Sequence, residues 1–311
     1  MPLRFKTSLR FCYCLLLLSF CACGSEPRLM AKVKLGGTYR LPIRSDITSL
    51  DLSWIIINQI YEGLVTYSKD ETTIIPCLAE RFTANDLALT FYLRKGVKFH
   101  DDPCFPNGKG RELTAADVKY SFERHYQRQR LDVANGEVPE AFLGYEEFVR
   151  GRSSQIEGFK AIDQYTFEIR LVKPDPDLLS NLASGIFIMP PEAVEFYGED
   201  FKWHPVGTGP FRFSEIAPNE KIILVKNQNY WDYEDGVRLP YLDAVEYFLY
   251  PSGASEKMLL DFQTGKIDEC NEDVANDLRD LVESDSRGHL IFKGWLRTEA
   301  CSLLKTKASE G

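Results

Sequence analysis

Tyr165, Phe167, Ile169 and Leu171 stand at every second position, with polar or charged residues between them. That spacing gives an extended strand one apolar face, whereas a helix would scatter the four side chains around its surface. Phe159 and Ala161 show the same alternation just upstream, and Asp163-Gln164 supplies a turn between the two runs. Leu89 to Leu93 alternates as well. Elsewhere the period lengthens. Ile55, Ile56, Ile57, Ile60 and Leu64 suit a helix burying one face between Leu50 and Thr66, with Gly63 interrupting its end. The two periods mix without strict strand–helix alternation, which predicts mixed α/β lobes.

Local punctuation sets the remaining elements. Thr38 to Ile43 and Ala244 to Tyr250 read as strands. Val97 to Phe99 reads as the end of another, following a Lys95-Gly96 turn. Pro103 to Gly110 is a Pro/Gly loop. Thr114 with Asp117 three residues later makes a capping-box-like start for a helix from Ala115 to about Gln127, burying Val118 and Phe122. Leu178 to Ala183 is a short helix after the break at Pro174 to Asp177. Val206 to Pro210 is a loop in which Gly207 and Gly209 permit a tight turn and Pro210 stiffens it. Phe211 to Ile216 and Lys221 to Lys226 form a hairpin. Glu256 to Thr264 is a helix stopped by Gly265.

The N-terminus has a different character. Arg4, Lys6 and Arg10 precede an apolar run from Phe11 to Ala22. That run is short for a bilayer span and reads as a signal peptide over residues 1–22. Cys23 follows directly, between Ala22 and Gly24-Ser25, and resembles the lipid-modified cysteine of bacterial lipoproteins. Residues 23–36 would then be a lipidated tether. A plain cleavable signal is the alternative. The formal net charge is −9, and the body contains no run of Lys and Arg, so nucleic acid is excluded as a partner. Of the eight cysteines, Cys77, Cys104, Cys270 and Cys301 lie in the body of an exported chain, and Cys77 and Cys104 either pair or stay as thiols. No CxxC pair or Cys/His cluster points to a metal.

Several segments taken in order resemble one family, the extracytoplasmic dipeptide, oligopeptide and nickel-binding proteins of ABC importers (family 5). They are Ile60-Tyr61-Glu62-Gly63-Leu64, Pro76 with Leu78-Ala79-Glu80, the stretch TFYLRKGVKFH from Thr90 to His100, and LTAADVKYSFER from Leu113 to Arg124. PVGTGPF from Pro205 to Phe211, KNQNYW from Lys226 to Trp231, and Gly265-Lys266-Ile267-Asp268 complete the series. The resemblance covers about Gly37 to Glu272. It implies an α/β fold of the periplasmic-binding-protein-like type II class, with mixed-sheet lobes. A first lobe would comprise residues 37–60 and 191–272, around an inserted subdomain at 61–190.

Members of that family are longer, whereas this chain runs only a short way past Asn271. The resemblance therefore implies that the second large lobe is missing, through a frameshift, an early stop or a real short variant. Residues 273–311 would be the start of that lobe or an aberrant tail. The function implied is binding of a solute, a peptide foremost, for the permease subunits of an ABC importer. It would take place in the periplasm or at the outer face of the cytoplasmic membrane, with a lipid holding the chain there and no cofactor. The resemblance places the loop Ser49 to Trp54 and the crossing Ser184 to Phe187 at the solute cleft, with Ser49, Trp54, Ser184 and Phe187 as contacts. Half a cleft would bind solute weakly or not at all, and would expose an apolar wall.

Two other classes were weighed. A lipid-anchored protein-interaction module without a small ligand has no motif of its own. A hydrolase would need a catalytic device, and there is neither a G-x-S-x-G elbow nor an H-E-x-x-H pair. Gly108-Lys109-Gly110 misses the Walker pattern at Pro103 and Arg111. His100 beside Asp101 and Asp102 reads as a surface turn, and Glu62 and Glu80 as isolated carboxylates.

Overall fold

The computed structural model describes residues 35–44, 54–68, 70–133 and 142–269, the side chains of residues 44, 54 and 128–133 excepted. In chain order the first elements are β1 (Thr38–Arg44), α1 (Trp54–Ile60), β2 (Val65–Tyr67), β3 (Ile74–Pro76), β4 (Ala79–Asn85) and β5 (Ala88–Leu93). Next come α2 (Ala115–Val133), α3 (Tyr145–Val149), β6 (Phe159–Asp163), β7 (Thr166–Arg170), α4 (Leu178–Gly185) and α5 (Pro191–Tyr197). The last are β8 (Phe211–Ala217), β9 (Lys221–Lys226), β10 (Tyr233–Glu234), β11 (Val237–Arg238), β12 (Ala244–Tyr250) and α6 (Ser255–Gln263).

Two four-stranded sheets carry the architecture. One has the order β1-β12-β9-β8 and the other β4-β5-β7-β6. In the first, β1 and β12 run parallel while β12, β9 and β8 are antiparallel. The second is antiparallel throughout and lies wholly between residues 79 and 170 in the chain. It is therefore an excursion between β1 and the remaining strands of the first sheet.

The alternation at 165–171 does what its spacing dictates, whereas Ala161, expected on the face of Phe159, is exposed next to a register shift in β6. Phe159, Phe167 and Ile169 turn inward and are fully buried, as are Phe91 and Leu93 on β5. The helix α2 covers this face, with the Phe122 ring 5.5 Å from Phe159 and 5.1 Å from Phe167. The turn between β6 and β7 is closed by the Asp163 carboxylate, which accepts the Tyr165 amide at 2.8 Å. At its other end, α6 finishes in a Schellman motif. Gly265 takes φ +73°, its amide bonds to the Phe262 carbonyl and the Lys266 amide to that of Asp261.

Three expectations are corrected. The helix predicted between Leu50 and Thr66 ends at Ile60 among the described residues, and β2 follows. Continuing it would need the Ile60 and Leu64 carbonyls for helical bonds. Instead Ile60 accepts the Gly209 amide, and Leu64 accepts those of Cys77 and Ala79. The hairpin lies one strand earlier than expected, between β4 and β5, where Asn85 Oδ1 accepts the Leu87 amide at 3.0 Å. Val97 to Phe99 contributes only an isolated bridge between Lys98 and Glu112. Cys77 and Cys104 are both free thiols, in different surroundings. Cys77 faces Glu62, whereas Cys104 sits in a turn closed by Asp102.

The capping box at α2 does more than start a helix. The Asp117 carboxylate accepts the Thr114 amide at 2.8 Å and the Thr114 hydroxyl at 2.9 Å. Arg111 then straddles two carboxylates. It reaches Asp117 at 2.8 and 2.6 Å and Glu192, in the first turn of α5, at 2.5 and 2.7 Å. This paired fork ties the two helix starts together, and the two carboxylates hold the guanidinium pKa above its ordinary value. The Asp117 side chain is only 2% exposed, so removing Arg111 strands a buried charge. Arg111→Met should cost about 2–3 kcal/mol in urea unfolding. Lys109→Met, which breaks the exposed pair with Asp101, should stay within about 0.5 kcal/mol.

Candidate functional site

The segment after α1 threads between the two sheets' connections, and four stretches of chain meet there: 59–63, 77–78, 206–210 and 227–231. The meeting is unusually close. A Cβ on Gly207 would lie 2.1 Å from the Ile60 carbonyl oxygen, and one on Gly209 would lie 2.6 Å from that of Gln59. Neither glycine has a positive φ among those found in the chain, so the reason for glycine here is backbone approach and not a tight turn. The Gly209 amide donates to the Ile60 carbonyl at 2.8 Å.

His100 locks this loop from the other side and is buried, at 2% exposure. Its backbone amide donates to the Gly207 carbonyl at 2.8 Å. Its ring Nε2 lies 2.9 Å from the Gly209 carbonyl, and its Nδ1 accepts the Gly207 amide at 3.4 Å. One ring nitrogen must donate and the other accept, which only the neutral imidazole can do. Burial pushes its pKa down from 6.5 to about 4. The expected surface turn at His100 is thus replaced by an interior clamp. Asn227 joins it, donating from Nδ2 to the same Gly209 carbonyl at 2.9 Å.

At the centre is Glu62. Its Oε1 accepts the Tyr230 hydroxyl at 2.8 Å and faces the Cys77 thiol at 3.8 Å. Its Oε2 accepts the Thr208 hydroxyl and the Trp231 indole N–H, both at 2.9 Å. The carboxyl is buried, and no Lys or Arg pairs with it among the described residues. Burial raises its pKa from 4.5 to about 7 even though all three donors favour the anion. Glu62 is therefore not the isolated carboxylate of the sequence reading. The visible signal was a lone charge inside the apolar run Ile60 to Leu64. Its partners lie 146 to 169 residues away, out of reach of any spacing argument.

Of the predicted solute contacts, Phe187 is half-buried with its ring centroid 6.2 Å from that of Tyr61. The next residue, Ile188, donates its amide to the Glu62 carbonyl at 3.0 Å, so this crossing runs beside the central segment. Ser184 is exposed in the last turn of α4, where its hydroxyl donates to the Ser180 carbonyl. Trp54 opens α1, its side chain outside the described residues, and Ser49 and Cys23 also lie outside them. The structure brings Phe187 to Tyr61 and leaves Ser184 bonded within its own helix. The site can offer an aromatic wall backed by a rigid polar joint. No cluster of three metal-ligating side chains occurs among the described residues.

The two buried titratable groups act on stability in opposite directions. A raised Glu62 pKa gives a contribution that is complete below pH 4.5 and is lost as pH rises through about 7. A depressed His100 pKa gives one that is complete above pH 6.5 and is lost as pH falls toward about 4. Each displacement corresponds to about 3 kcal/mol, so between pH 4.5 and 6.5 they nearly cancel. The pair should therefore add little slope to unfolding free energy over that window. Glu62→Gln should unmask stability that rises with pH, and His100→Gln stability that falls with it. Urea unfolding at half-unit pH steps reads both slopes.

Residues 73–294 match the family described as bacterial extracellular solute-binding proteins, family 5 Middle. The peptide transport periplasmic protein SapA of Haemophilus influenzae is 28% identical over 205 residues, covering 58% of this chain and 36% of the relative. Heme-binding protein A of the same organism is 32% identical over 185 residues, covering 56% and 32%. The solved periplasmic binding protein DppA of Helicobacter pylori, in complex with the peptide STSA, superposes with a TM-score of 0.58 at 32% identity. That superposition covers 75% of this chain and 46% of the solved one. The chain thus spans about a third of the length of the curated relatives it matches. With the match running through the whole second sheet and through β8, β9 and β12 of the first, this chain belongs to family 5 of the bacterial extracellular solute-binding proteins.

Proposed function

We propose that this chain captures a solute, of the peptide class, outside the cytoplasmic membrane and delivers it to the permease subunits of an ABC importer. The observation that carries the reading is the family match over residues 73–294, on a fold shared with a binding protein solved with a peptide bound. Residues 37–60 and 191–272 serve as one lobe and 61–190 as an insertion braced against it. The solute meets the wall formed by Phe187 beside Tyr61, with Ser49, Trp54 and Ser184 as further contacts. A lipid on Cys23 holds the protein at the membrane. The family matched is one of solute-binding proteins.

A method that traps short-lived complexes suits the test. Tripeptides bearing a photoreactive side chain should label the segments around Tyr61 and Phe187, and unlabelled peptide should compete. Phe187→Ala should reduce that labelling about tenfold, the loss of about 1.5 kcal/mol of aromatic contact. Labelling that ignores competitor, or heme displacing every peptide, would sink the peptide assignment. For the anchor, cells fed an alkyne palmitate analogue should tag the wild-type chain, and Cys23→Ser should abolish the tag while export continues.

A further inference from the structure

The carboxyl of Glu62 is the one hydrogen-bonding centre shared by three of the four stretches that meet beside α1. Thr208 reaches it from the 206–210 loop, Tyr230 and Trp231 reach it from the 227–231 turn, and Cys77 faces it from the link between β3 and β4. We propose that Glu62 is a proton-operated latch, which holds the insertion against the first sheet when neutral and loosens that joint when ionised.

The argument begins with hydrogen-bond direction. An ionised carboxylate accepts only, and here it accepts from two hydroxyls and an indole N–H. The neutral acid must donate one bond. The Trp231 N–H cannot accept it, whereas the Tyr230 and Thr208 hydroxyls can turn to do so without moving their oxygens. Both protonation states therefore fit the same heavy-atom positions, and what separates them is charge.

The charged surroundings do not compensate the anion. Arg94 lies on the Trp231 ring, 4.6 Å from its centroid, and spends its Nε donor on the Cys77 carbonyl. Asp232, next along the chain, repels a negative Glu62. From the link between β3 and β4 the facing group is a thiol, itself held well above its ordinary pKa by burial. From the 206–210 side, the neutral His100 stands behind the loop and brings no charge. At the end of α1 the neighbours are Gln59 and Tyr61, both uncharged. An anion at this point gains relief only by admitting water, and water can enter only where the four stretches part.

The Trp231 indole N–H is a reporter built into the site. In the 15N-labelled chain its resonance, assigned by Trp231→Phe, should titrate with a midpoint near pH 7. Amide protection factors at Thr208 and Gly209 should fall about tenfold from pH 6 to pH 8. Glu62→Gln should abolish both effects. Tyr230→Phe and Thr208→Val each remove a donor to the anion, so each should move the wild-type midpoint to higher pH. A carboxyl that titrates without working the joint would show the same midpoint shift but leave the protection factors flat. An indole midpoint below pH 5, or protection that falls equally in the wild type and Glu62→Gln, would overturn the proposal. Should Glu62→Gln fail to fold, the two donor variants decide it: the pH at which protection is lost should rise with their midpoints, and a loss that stays at the wild-type pH would overturn the proposal.

Discussion

The backbone of residues 206–210 lies against the last carbonyls of α1 at a distance that no side chain would tolerate. Everything else about the joint follows from that approach. Because Gly209 takes the Ile60 carbonyl, α1 cannot continue, and the chain turns toward β2 with Glu62 pointing inward. Because the 206–210 loop is pinned, its carbonyls fall where the His100 ring and Asn227 can bond them. Because Thr208 sits between the two glycines, its hydroxyl meets the carboxyl. Two hydrogen atoms in place of two methyl groups set the geometry of the whole crossing.

A polar joint inside an apolar core is costly unless every member is bonded, and here the bonding is reciprocal. The imidazole donates and accepts along the 206–210 loop, while the carboxyl gathers donors from that loop and from the 227–231 turn. Apolar contacts alone would let the stretches slide past one another. Directional bonds with fixed donors and acceptors give the crossing one register. The Arg111 fork works likewise at a second place, where it sets the start of α5 relative to that of α2. The insertion is thus held to its neighbours by few but specific polar links around a continuous apolar core.

Local chemistry was the legible part of the sequence. The alternation at 165–171, the capping box at Thr114 and the glycine stop at Gly265 each act within a few residues, and each appears in the structure as read. What misled was competition from far along the chain. The isoleucine run after Trp54 has helical spacing as far as Leu64, but carbonyl partners from residues 77, 79 and 209 end the helix at Ile60. Glu62 and His100 looked unremarkable because their environment is assembled from segments more than a hundred residues distant. Composition could place the two glycines in a loop. It could not show that they serve a close approach and not a turn. Of the residues proposed to meet solute, only Phe187 acquires an aromatic neighbour among the described residues, and family resemblance rather than patterning pointed to it.

The parallel pairing of β1 with β12 joins Thr38 to Ala244. During synthesis at about 5–20 residues per second, β1 must wait on the order of 10–40 seconds before its partner exists. Until then it is an unmatched strand with an open hydrogen-bonding edge, near the very end of the chain that leads the way to any export machinery. A chain built this way cannot complete its first sheet early. The second sheet, with every strand between residues 79 and 170, has all its partners well before that. The order in which the strands are written into the chain thus sets a timetable as well as a topology.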